Sequence, residues 1–413
     1  MTDAAGELAQ TVRVEGARLL ATLVRTVGDL QLAEDAVQEA AVRALRDWPR
    51  SGVPDQPRAW LTVAARRAAI DIVRRESQRR DRERDASAMA LTTQDEPAEV
   101  PDSVVRDDQL RLLFVCCHPA LSLEAQVPLA LRVLCGLSPA QIADVLLTGE
   151  PAVAKRLTRA RAKIARAAIP YRVPGDAELP ARLAGVCAVV HAAYTAAHTA
   201  SGAELSDVDG CVEARRLARL VHDLLPDEPM PAAVLALILL TEARRPARLA
   251  AGEVVLLADQ DRSLWDRAAV EEGRQLLADS LRRTAGLADA YQLEAAVAAE
   301  HAVAGSCDTT DWREIVRLYD LLLTVRPTSS VRLARAVALA EADGATAGLR
   351  ALDDVASHPR REAVRSELLA RAGQLAAAAD AARESLAAPA PAAERRHRER
   401  RVAEWTAAAQ RRH

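Results

Sequence analysis

Apolar residues recur at helical spacing from early in the chain. Leu19, Leu20, Leu23, Val24 and Val27 share one side of a helix that closes at Gly28. A second helix is predicted over 32–48, ended by Pro49, with Asp35, Gln38 and Glu39 on its polar edge. Pro54 and Pro57 mark a loop, after which Leu61, Ala65, Ala68 and Ile72 form an apolar stripe. Arg67, Asp71, Arg74, Arg75, Gln78 and Arg82 take the opposite side, giving an amphipathic helix with an arginine-rich face. Further on, Ser138 suits an N-cap, Pro139 the first helical position and Gln141 the third, so hydroxyl and amide satisfy exposed backbone donors where a helix begins. Ile142, Val145 and Leu146 point inward from it, and Thr148-Gly149-Glu150-Pro151 breaks the chain. Val153, Leu157, Ala160 and Ile164 then carry a second helix whose other face presents Lys155, Arg159 and Arg166. A short helix, a Gly-containing turn and a helix with a cationic face form the helix-turn-helix pattern, whose second helix enters the major groove of DNA.

After residue 175 the chain reads as helix upon helix, at 232–241, 264–277, 291–301, 311–324, 333–342 and 368–387. Weak repeats run from Leu333-Ala334 to Gly344 and Leu349, and from Leu368-Leu369 to Gly373 with Ala377-Ala378 and Ala381-Ala382. They resemble tetratricopeptide units, where small residues let paired helices approach. The chain has 413 residues, half of them hydrophobic and 2% aromatic, with abundant Ala, Leu and Arg. Helix is favoured over pleated sheet, so the expected fold is all-α.

Net charge is -3, which argues for no partner until its distribution is followed. Residues 58–84 carry +5 and residues 138–172 carry +5, whereas residues 85–110 between them carry -6 with Pro97 and Pro101, the composition of a flexible acidic linker. Two basic modules joined by a segment that DNA repels suit a grip on two separated parts of one duplex. For either basic helix the competing reading is a solvated surface; closely spaced guanidinium groups on a rigid helix equally suit successive phosphates.

Six cysteines without CxxC spacing fit neither a disulfide framework nor a zinc ribbon. The most apolar run, 232–240, is about half of the roughly 20 residues that a membrane span needs, and no secretory signal opens the chain. A cytoplasmic protein without a membrane partner is expected.

Gly136-Leu137-Ser138 through Gln141-Ile142-Ala143, with Val153, Arg156-Leu157 and Arg159-Ala160-Arg161, resembles region 4 of bacterial extracytoplasmic-function sigma factors. Ala33-Glu34-Asp35-Ala36-Val37-Gln38-Glu39, with Trp60-Leu61 and Ala65-Arg66 to Asp71, resembles region 2. Cys116-Cys117-His118-Pro119-Ala120-Leu121, Ile169-Pro170-Tyr171-Arg172-Val173-Pro174, Asp259-Gln260-Asp261-Arg262-Ser263 with Trp265-Asp266, and Asp311-Trp312 with Leu318-Tyr319-Asp320 are similar to the large members that carry a tetratricopeptide-like C-terminal extension. The resemblance divides the chain into region 2 (1–84), acidic linker (85–110), region 4 (111–174) and extension (175–413).

That resemblance implies a subunit that directs core RNA polymerase to promoters. Asp35, Gln38 and Glu39, with Val42 beside them, would meet the β′ clamp helices, and region 4 would dock at the β flap. Arg66, Arg67, Asp71, Arg74 and Arg75 would meet the −10 element. An Asn is common at the position of Arg67, so phosphate contact rather than base readout is carried over there. Ala154, Lys155, Arg156, Arg159 and Arg161 would meet the −35 element, bases and phosphates both remaining open as targets. The linker either threads the RNA-exit path or tethers passively. Where such proteins have Asn-Glu-Gly-Tyr, this chain has Thr195-Ala196-Ala197-His198, and any contact made by that Glu is lost. The extension is expected to modulate activity, through its own contacts or a regulatory protein.

Cys116, Cys117 and His118 suggest either a metal or buried small side chains, and the second fits better because adjacent cysteines leave a helix in different directions. His191, His198, His222 and His301 lack HExxH spacing, and no nucleophile or phosphate-binding loop stands out, so neither a catalytic residue nor a cofactor is expected. A competing function is a helix-turn-helix regulator that uses helical repeats as an adaptor.

Overall fold

The computed structural model describes residues 4–83, 102–167, 169, 171–175, 177–199, 207–250 and 252–411. It is all-α apart from one short antiparallel pairing, Leu249 with Val254 and Ala250 with Glu253. Two compact units divide the chain, residues 1–193 and 194–413.

In the first unit α1 (Ala4–Val27), α2 (Leu30–Ser51) and α3 (Pro57–Glu83) pack on one another. Asp29 caps α2 by accepting from the backbone N–H groups of Gln31 and Leu32. Trp48 of α2 and Trp60 of α3 meet edge to face with ring centroids 5.6 Å apart. The helix passes Pro49 and ends at Gly52, because a proline in the last turn forfeits a single backbone bond. α4 (Asp102–Cys116), α5 (Leu123–Cys135), α6 (Pro139–Val145), α7 (Glu150–Ala167) and α8 (Pro180–His198) follow.

Of the expected acidic linker, positions 85–101 lie outside the described residues, and from Asp102 the chain is α4 rather than linker. Acidity misleads at Asp108, which is fully buried because Arg25 of α1 and Arg111 both bond its carboxylate. α4 thereby packs on α1 and extends the apolar row Leu112, Leu113, Phe114 and Val115 into the core.

The second unit is built on α10 (Pro229–Glu242), where Pro231 to Leu240 are all buried, as expected of a helix apolar on every side. α9 (Val208–Leu224), α11 (Arg267–Arg283) and α12 (Ala290–Val303) pack around it. From there α13 (Trp312–Val325), α14 (Ser329–Asp343), α15 (Ala345–Leu352), α16 (Arg361–Arg371), α17 (Leu375–Ser385) and α18 (Ala392–Gln410) each pack on the next. The expected helix 264–277 starts later, at Arg267, after a 3-10 turn at Arg262–Leu264. The expected helix 368–387 is two helices, parted where Gly373 takes a φ of 78° that other residues avoid.

Candidate nucleic-acid interface

The helix-turn-helix begins with both halves of its capping box in place. Gln141 donates its backbone N–H to the Ser138 hydroxyl at 3.2 Å, and Ser138 returns its own N–H to Gln141 Oε1 at 2.9 Å. The turn between α6 and α7 is made by Leu147 at φ 49°, not by Gly149, so a side chain occupies the left-handed position. Val153, Leu157 and Ala160 of α7 are buried, which rotates Ala154, Lys155, Thr158, Arg159, Lys163 and Arg166 to solvent. Arg156 is half-buried.

Arg161 departs from this face. Its Nε and Nη2 donate to the two carboxylate oxygens of Glu34 in α2, each at 2.9 Å. Apolar periodicity did not reveal this, because the partner lies 127 positions away.

On α3 the buried residues Leu61, Ala64, Ala65, Ala68 and Ala69 leave Arg66, Arg67, Arg74 and Arg75 exposed along one helix. Asp71 is half-buried, with a carboxylate oxygen 3.9 Å from Nη2 of Arg43. The side chains expected at Gln78 and Arg82 lie outside the described residues. The outer face of α2 carries Asp35, Gln38 and Val42, all exposed, beside Glu39, which accepts from Arg43 Nε at 3.4 Å. Leu45 continues that face with 52% of its surface exposed; sequence reading does not single it out, and its step of three from Val42 is the available signal. Acidic, polar and apolar groups thus stand in a row on α2, while the arginines of α3 and α7 form two cationic faces.

Cys116 and Cys117 are buried at the end of α4, and burial pushes both thiols well above their usual range. His118 uses Nδ1 to accept the backbone N–H of Ala120 at 3.1 Å. In the second unit His198, Cys211 and Glu242 bring potential ligand atoms within 4.8 Å of one another. Arg248 occupies the histidine, with Nη1 2.9 Å from Nε2, while Tyr194 donates to Glu242 at 3.0 Å and Arg245 lies 3.3 Å from the same carboxylate. A cation there would face two guanidinium groups, and the cluster is already closed by its own hydrogen bonds. Among the described residues no helix is long and apolar enough to cross a membrane.

Three family models match the chain. One described as sigma-70 region 2 covers residues 12–79, one described as sigma-70, region 4 covers residues 111–164, and a family of unknown function (DUF6596) covers residues 182–281. Uncharacterized protein R00370 of Rhizobium meliloti (strain 1021) is 42% identical over 337 residues, which span 80% of this chain and 78% of that protein. The probable ECF RNA polymerase sigma factor SigI of Mycobacterium tuberculosis is 34% identical over 156 residues, 37% of this chain and about half (52%) of SigI. No solved structure matches.

Proposed function

The chain belongs to the sigma-70 family, in its extracytoplasmic-function branch, and from that premise we propose how its residues share the work of promoter-directed initiation. Core RNA polymerase and promoter DNA are the partners of such a subunit. The row Asp35, Gln38, Glu39, Val42 and Leu45 docks on the β′ clamp helices, where an apolar centre with a polar margin is the usual makeup of a contact surface. Arg66, Arg67, Arg74 and Arg75 on α3 engage the −10 backbone, with Asp71 beside them. Ala154, Lys155, Arg156 and Arg159 on α7 engage the −35 element, and Arg161 joins them once it leaves Glu34. Region 4 also meets the β flap. The helices after α8 act as a regulatory extension of repeat-like pairs.

The observation that carries this reading is the pairing, in one unit, of an acidic and apolar face on α2 with two exposed cationic helices in the order region 2, region 4. Its test is transcription in vitro with purified core polymerase on promoter-containing DNA from upstream of the chain's own target genes. Wild-type chain should start transcripts, and replacing Asp35, Gln38 and Val42 together with Ala should abolish them while leaving duplex binding intact. A wild-type chain that starts none at any such promoter defeats the proposal. An ordinary regulator would bind DNA without needing the α2 face.

A further inference from the structure

Arg244, Arg248 and Arg262 gather in the second unit without a carboxylate of the described residues to pair with. Arg244 and Arg248 lie just beyond α10, and Arg262 opens the 3-10 turn before α11. Asp266 donates its backbone N–H to the carbonyl of Ala243 at 2.9 Å, which holds these two segments side by side. Arg245 points to Glu242 at 3.3 Å, so the acid that is close at hand belongs to a different arginine.

Arg262 is only 9% exposed. Its Nη1 donates to the carbonyls of His301 and Ala304 at 2.6 and 2.8 Å, its guanidinium lies 4.7 Å from the Trp265 ring centre, and its Nη2 has no partner. Arg248 directs Nη1 to His198 Nε2 at 2.9 Å. Arg244 makes no hydrogen bond or ion pair with any described residue. It is half-buried, and burial, with Arg248 adding to it, draws its proton affinity down. The half-buried Tyr319 of α13 lies within electrostatic reach of Arg244, and its hydroxyl is likewise without a hydrogen-bond partner among the described residues.

A charge drawn from water without a counter-ion is costly, and neighbouring like charges add repulsion. Elsewhere in the unit a carboxylate relieves that cost, as Glu294 does for Arg326 at 2.8 Å. The Arg244 group is completed only by an anion from outside. Donors reach it from the end of α10 and from α13, which suits a tetrahedral anion with oxygens in several directions better than a planar carboxylate. A phosphate group also carries close to two negative charges near neutral pH, enough to answer more than one guanidinium.

We propose that Arg244, Arg248 and Tyr319 bind a phosphate group, free or carried on a small molecule, with Arg262 as a fixed charge behind it. The assignment is independent of the promoter-binding role of the first unit.

The experiment uses the full-length chain in phosphate-free buffer. Inorganic phosphate is added, against chloride at equal ionic strength, and followed by titration calorimetry and thermal melting. Wild-type chain should bind phosphate and melt at a higher temperature with it than with chloride. Arg244→Met keeps the apolar stem and removes the charge, and should weaken binding on the order of ten-fold. Without ligand it should melt no lower than wild type, because an unpaired charge is gone. Arg282→Met, at an exposed arginine of α11, should leave phosphate binding unchanged. Ribose 5-phosphate separates the sources: tighter binding than inorganic phosphate identifies a carried phosphate, equal binding the free ion. Should Arg244→Met not fold, Arg244→Gln is read in its place. Wild-type chain that gains no more from phosphate than from chloride overturns the assignment. So does a folded Arg244 variant that binds as tightly as wild type, or stabilisation by citrate and not by phosphate.

Discussion

Asp108 of α4 accepts a hydrogen bond from Arg25 of α1 at 2.9 Å while its own side chain is completely shielded from solvent. Burial raises its proton affinity, and the guanidinium groups of Arg25 and Arg111 pull the other way without prevailing. Replacing Asp108 with Ala should lower the local stability of α1 and α4 by about 2–3 kcal/mol, the low end for a broken shielded pair, since Arg25 is 42% exposed and turns to water. Asp108→Asn should cost less, because the charge itself is poorly solvated. Amide hydrogen exchange in peptides from the two helices reads both values, and equal exchange in wild type and Asp108→Ala would refute the brace.

Leu147 occupies the left-handed position of the helix-turn-helix at φ 49°, with 52% of its surface exposed. Glycine relieves the steric cost there while little packing is lost, and its larger unfolded-state entropy offsets part of the gain. Leu147→Gly should therefore stabilise this motif by about 0.5–1 kcal/mol. Slower exchange of the α6 and α7 amides is the expected sign; faster exchange would mean that the exposed leucine makes contacts that matter.

Gly348 is where α15 lies closest to α14. A Cβ added there would stand 2.5 Å from Ala340 Cβ and 2.8 Å from the carbonyl oxygen of Ala336, so the helices must separate. Gly348→Ala should cost about 2–3 kcal/mol by overpacking, visible as a lower melting temperature for the second unit. Ala340→Gly, which removes one of the clashing atoms, should recover part of the loss in the double variant.

His301 in α12 is half-buried, edge to face against Trp312, with ring centroids 5.2 Å apart and no partner for its shielded Nδ1. Burial, with Arg244 and Arg262 adding to it, pushes its proton affinity down to about 4 from 6.5. The folded chain thus prefers the neutral ring more than the unfolded chain does. Its stabilising contribution is present in full above pH 6.5 and is lost progressively as pH falls toward about 4, up to roughly 3 kcal/mol. His301→Phe keeps the aromatic contact and should flatten that dependence in melting curves recorded across this window. An unchanged slope would assign the acid sensitivity to other groups.

Local signals exposed most of the helical framework to sequence reading. Ser138, Pro139 and Gln141 specify the start of α6 through bonds made within four residues, and the periodic Val153, Leu157 and Ala160 fix which side of α7 faces out. Contacts between distant positions left no such trace. Glu34 reads only as one position of the region 2 motif and Arg161 as one more cation, until folding brings them to 2.9 Å. The acidic neighbours of Asp108 in sequence predict a flexible linker, whereas its environment is set by Arg25, 83 positions earlier. In the alanine-rich stretch from 368 to 387 there is too little contrast between faces for periodicity to mark an interruption, and the backbone angle of Gly373 decides it.

The Tyr171 hydroxyl has a single proton and two acceptors within reach, the carbonyls of Ala21 at 2.8 Å and Asp108 at 2.7 Å, the first of them 150 positions upstream. During synthesis at roughly 5–20 residues per second, the ribosome needs about 8–30 s to travel from Ala21 to Tyr171. Through that interval the nascent α1 to α3 bundle lacks the pieces that later cover it. A chain released or paused before Tyr171 is made leaves the carbonyls of Ala21 and Asp108 without the hydroxyl that later ties α1 to α4.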